Sequence, residues 1–166
     1  MNHRRAIRRR LALSWLWTLC IALFATPCLA HKPSDSYLIL KIAGATIDGQ
    51  WDIALRDLEF AIGLDANGDG EITWGEVKAR HDDIAAYAFA RLELSSARQP
   101  CTIEVQQHLI DEHSDGAYAV LRFQARCASE IENVDARYAL FFDFDAQHKG
   151  LTRRSEEHTS ELQSPY

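Results

Sequence analysis

Twelve consecutive residues, Asp65-Ala66-Asn67-Gly68-Asp69-Gly70-Glu71-Ile72-Thr73-Trp74-Gly75-Glu76, space oxygen donors as a hard divalent cation requires. Ca2+ takes six to eight oxygens in a flexible shell. Asp65, Asn67 and Asp69 offer side-chain oxygens at positions 1, 3 and 5. Gly70 permits the sharp, positive-φ turn at position 6. Glu71 at position 7 would lend its main-chain carbonyl, and Thr73 at position 9 would act through water. Glu76 at position 12 would close the shell with two oxygens, which favours Ca2+ over the smaller Mg2+. Ile72, at position 8, should point into a core.

Other reactive residues are less ordered. His81, His108, His113 and His148 stand at unrelated spacings and form no HExxH, phosphate-loop or dinucleotide motif, so the expectation is no enzyme. His108 and His113 bracket the end of an expected hairpin, where Asp111 or Asp115 would be companions for a metal; a solvated turn is the simpler reading. Asp82 and Asp83 read as a solvated helix face rather than a catalytic pair.

These residues need elements to hold them. Trp51, Leu55, Leu58 and Ile62 recur at helical spacing before the loop, with Asp48 or Asp52 available as a cap. Val77, Ile84, Ala88 and Leu92 form a looser stripe after it. A helix–loop–helix over residues 51–92 follows. Tyr37–Ala43 reads as a strand, residues 44–50 as a turn, and Glu93–Pro100 as a polar linker. Thr102–Ile110 and Ala117–Cys127 read as two strands joined at Asp115–Gly116. Folding that hairpin brings Cys101 opposite Cys127, predicting a disulfide. Val134–Phe144 alternates like a further strand. The expected fold class is α+β, with one helix–loop–helix packed on a small antiparallel sheet.

The loop fills the calcium pattern of the EF-hand family, which this segment resembles. A partner loop is missing. Asp143–Gly150 has Asp143 and Asp145 at the first ligand positions, but His148 replaces the glycine and Arg154 the closing glutamate. A single loop outside the cytoplasm predicts a structural calcium site rather than a signalling sensor.

The ends differ in character. Five Arg among residues 1–10 precede an apolar run from Leu11 to about Ala25, then Pro27, Cys28 and Ala30, the pattern of a cleaved signal peptide over 1–30. His31 would then become the first residue, able to offer amine and ring to copper, though spacing nominates no companion. The exported domain is expected over 31–153, periplasmic or extracytoplasmic. Arg154–Ser164, RSEEHTSELQS, resembles a translated sequencing-library adapter, so 154–166 is expected to be a non-native or disordered tail.

The full chain has 18 Lys and Arg against 24 Asp and Glu, a net charge of −6. Residues 31–153 alone carry 12 basic and 21 acidic residues. Such an acidic domain excludes a nucleic-acid partner, and Arg122 and Arg126 are too few to change that.

Three stretches, HKPSDSYL at His31–Leu38, GQWDIALRDLEFAIGLDANGDGEITWGEV at Gly49–Val77 and YALFFDFDAQHKG at Tyr138–Gly150, extend the resemblance. Together they resemble the exported N-terminal region of bacterial hydrogenase/urease accessory (HupE/UreJ-like) membrane proteins. That resemblance implies a following membrane domain that handles nickel or a similar metal, for which this chain would be the extracytoplasmic head, membrane-tethered in the longer protein. A periplasmic adaptor for protein partners is the further alternative.

Overall fold

The computed structural model describes residues 35–156; the expected signal peptide and residues 157–166 lie outside them. A five-stranded sheet has the order β5-β6-β2-β1-β8, and a three-stranded sheet the order β4-β3-β7. The strands are β1 (Asp35–Ala43), β2 (Thr46–Ala54), β3 (Leu92–Ser96), β4 (Gln99–Pro100), β5 (Thr102–His113), β6 (Gly116–Arg126), β7 (Asp135–Tyr138) and β8 (Lys149–Glu156). Three short helices, α1 (Leu55–Ile62), α2 (Trp74–Ala79) and α3 (His81–Phe89), lie between β2 and β3 in the chain. The fold is mixed α+β.

β2 corrects the sequence reading. Trp51 belongs to this central strand, not to a helix. Ile47, Gly49, Trp51 and Ile53 are all buried at every second position, a strand period that overrides the helical spacing of Trp51 with Leu55. Gly49 allows this packing, because a Cβ there would lie 2.1 Å from the Phe123 ring on β6. Asp48 and Asp52 therefore cap no helix. Asp48 accepts a bond from Gln124 at 3.0 Å, and Asp52 is buried beside Gln50 and His113. Helix α1 starts after Ala54, with no side-chain cap.

The second half of the expected helical pair is also divided. Arg80, at φ −101° and ψ 13°, ends α2 and begins α3. Leu92 lies beyond the helices, at the start of β3. The expected linker instead forms β3 and β4, joined through Ala97 and Arg98, both at positive φ. The expected third strand stops at Tyr138. Leu140 and Phe141 turn inward, whereas Phe142 and Phe144 are exposed.

The sheet is not wholly antiparallel. β8 pairs in parallel with β1, from Asp35 opposite Lys149 to Ile42 opposite Glu156. Arg154, Ser155 and Glu156, which the sequence assigns to a non-native or disordered tail, are the last residues of this strand. Pairing at a sheet edge uses main-chain groups, so the polar side chains gave no sign of it.

One core joins these parts. Trp51, Leu58, Leu64, Val77, Ile84, Leu94, Leu121 and Leu140 are fully buried within it. Cys101 and Cys127 form the expected disulfide, closing the open end of the β5–β6 hairpin. No helix among the described residues is long and apolar enough to cross a membrane.

Candidate functional site

The Asp65–Glu76 segment runs from just beyond α1 into the first turn of α2. It is anchored on the apolar side by Leu64 and Val77, both fully buried, and by Ile72, which packs against the core as expected.

The polar side of the loop is organised by its own carboxylates. Asp65 Oδ1 accepts from the Gly68 N–H at 2.7 Å, and Oδ2 from the Gly70 N–H at 2.8 Å. Asn67 Oδ1 accepts from the Asp69 N–H, and Asp69 Oδ1 from the Glu71 N–H, each at 2.8 Å. The Asn67 amide donates to Asp69 Oδ2 at 2.8 Å. Gly70, at φ +84°, makes the turn that lets its N–H face Asp65.

Glu76 closes the segment from the helical side. Thr73 and Glu76 form a reciprocal capping box at the start of α2. Glu76 Oε2 accepts from the Thr73 N–H at 2.9 Å and from Thr73 Oγ1 at 2.7 Å. Glu76 Oε1 accepts from the Ala66 N–H at 3.0 Å, across the loop. Bonds from Thr73, first from its backbone, and from Ala66 and Asn67 hold the Glu76 carboxyl below the usual range. The Glu71 side chain is exposed.

Two further residues set the frame, and neither was nominated from the sequence. Glu59, in the last turn of α1, accepts from the N–H groups of Leu64 and Asp65, the latter at 2.7 Å. An acid at a helix C-terminus opposes the helix dipole, and that misfit was its signal. Arg80 donates to the Ile62 carbonyl at 2.9 Å, tying the α2–α3 junction to the end of α1.

Among the described residues, no group of three or more His, Cys, Asp or Glu side chains is close enough to hold a metal ion. That holds for Asp65, Asp69 and Glu76: their carboxylates do not converge on one point, and each is bonded within the loop instead. The donors the segment carries are two Asp, one Asn, one Thr, one Glu and a main-chain carbonyl. All are oxygens, which suits Ca2+ and not a soft metal. Each Asp65 and Asp69 oxygen accepts one bond and keeps a second lone pair for a cation, whereas Glu76 Oε2 already accepts two bonds from Thr73.

The remaining sequence candidates separate. His108 and His113 take different partners: His108 meets His81, and His113 Nε2 lies 3.4 Å from Asp52 Oδ2. Asp82 and Asp83 are exposed, and Asp83 pairs with Arg80 at 2.9 Å. In the second loop, Asp143 pairs with Arg91 at 3.3 Å. His148 there is buried and bonds the Tyr138 hydroxyl at 2.6 Å. No protein-family model matches the chain, and no curated protein matches it.

Proposed function

We propose that this chain binds Ca2+ through Asp65, Asn67, Asp69, Glu71, Thr73 and Glu76, as an EF-hand-type loop that stabilises an exported domain. The observation that carries this reading is the Glu76 carboxylate. It reaches from α2 across the loop to the Ala66 N–H, next to Asp65, and so spans the first and last ligand positions. Asp65 shapes the turn through Gly68 and Gly70, while Thr73 holds Glu76 in place. A bound Ca2+ would supply the positive charge that offsets repulsion among these carboxylates. The role is binding rather than catalysis. Export is supported by the Cys101–Cys127 disulfide, a bond that persists in oxidising compartments.

The test is thermal unfolding of the purified protein against free Ca2+. A site that exists only in the folded state stabilises it by about 2.7 kcal/mol at a hundred times Kd. Glu76→Gln should weaken Ca2+ binding on the order of tenfold or more. A wild-type melting profile unmoved by millimolar Ca2+ would overturn the proposal.

A further inference from the structure

A second site lies beyond the loop in the chain, where α3 meets the edge strand β5. His81 is the first residue of α3, and its Nδ1 contacts Nδ1 of His108 on β5. The ring centroids are 4.3 Å apart, with the planes inclined at 34°. Trp74 and Lys78 from α2 and Asp82 from α3 complete the walls of an open cleft of about 430 Å³.

A β-bulge produces this meeting. Ile103 and Val105 pair with Ala125 and Phe123, on the core-facing side of β6. The register then shifts between Val105 and Gln107, so His108 pairs with Leu121 and Ile110 with Ala119. One extra residue has exchanged the faces of the strand. Without the bulge, His108 would share the outward face with Glu104. With it, the imidazole is directed toward the helices.

The contact leaves chemistry unused. Between two facing Nδ1 atoms one proton can be shared, and two repel. Among the described residues, the buried Nε2 of His108 has no hydrogen-bond partner. Neutral imidazole is the preferred nitrogen ligand of late first-row divalent metals and a poor ligand for Ca2+.

The geometry points to a two-imidazole site for a borderline divalent cation of the Zn2+ type at His81 and His108, separate from the oxygen-lined loop. The cation would take the place of the proton shared between the two Nδ1 atoms, which would part to admit it; with two protein nitrogens, one fewer than the three of an open zinc site, the remaining positions fall to solvent or an incoming ligand. Asp82 offsets the added charge from the cleft wall. Lys78 opposes it, but its exposed side chain has room to carry its ammonium into solvent.

Zn2+ titration of the Ca2+-saturated full chain tests this, read by calorimetry and by visible absorption with Co2+ as a replacement ion. Wild type and Glu76→Gln should bind equally. His81→Gln and His108→Gln should each weaken binding at least about tenfold. Because His108 is partly buried, His81→Gln at the helix start serves if His108→Gln fails to fold, as judged by circular dichroism. Equal Zn2+ affinity in His81→Gln and wild type would overturn the site. So would loss of binding in Glu76→Gln alone, which would assign the ion to the loop. Absence of Zn2+ binding by wild type below millimolar concentration would overturn it as well.

Discussion

Glu59 and Asp65, six residues apart, are joined by a 2.7 Å bond from the Asp65 N–H to the Glu59 carboxylate. The same oxygen also receives the Leu64 N–H. One side chain thus terminates α1 and fixes the residue that opens the candidate loop.

Replacing that anchor should be costly at two levels. Glu59→Ala leaves two N–H groups without their charged acceptor, which should destabilise the fold by about 1–3 kcal/mol. Asp65 would also lose its fixed backbone, so Ca2+ affinity should fall although no ligand was changed. Denaturant unfolding with and without Ca2+ separates the two effects. Unchanged stability and unchanged affinity would mean that Glu59 positions nothing.

The disulfide should act mainly on the unfolded chain. Cys101 and Cys127 are 26 residues apart, and opening such a ring costs about 2–4 kcal/mol. Denaturation midpoints with and without reductant give the difference. Alkylation of the unreduced, unfolded protein followed by intact-mass analysis should label neither cysteine.

Acid should weaken the fold through His108. His108 has its pKa lowered from 6.5 to about 4, first by burial and then by His81. Below 6.5 the unfolded chain takes up a proton that the folded chain refuses until about pH 4. The stability present above 6.5 is therefore progressively lost as pH falls through that window. Unfolding followed from pH 7 to about pH 5, with Ca2+ in excess and transition metals removed, should show this decline. His108→Gln should flatten it. An equal slope in the variant would assign the decline to other groups.

How much of this was legible depended on the range of the forces involved. The Cys101–Cys127 pair could be read because the spacing of one hairpin determines it. Trp51 was misplaced because Leu55, Leu58 and Ile62 extend its helical pattern, whereas its burial is decided by β1 and β6 on either side of β2. The short strands β3 and β4 have too few residues for alternation to stand out. β8 pairs with a strand more than a hundred residues earlier, through main-chain groups that every sequence possesses. The meeting of His81 with His108 depends on a bulge, which no spacing in the sequence announces.

Arg80 carries a mechanical consequence. Signalling loops of this kind transmit ion binding by swinging one flanking helix away from the other, exposing an apolar groove. Here the guanidinium grips the Ile62 carbonyl, while Leu58, Val77 and Ile84 sink the three helices into a common interior. Any swing would have to break that grip and wet those side chains together. On the proposed Ca2+-binding reading, ion occupancy would be converted into resistance to unfolding instead of movement: the loop would work as a rivet, not a hinge.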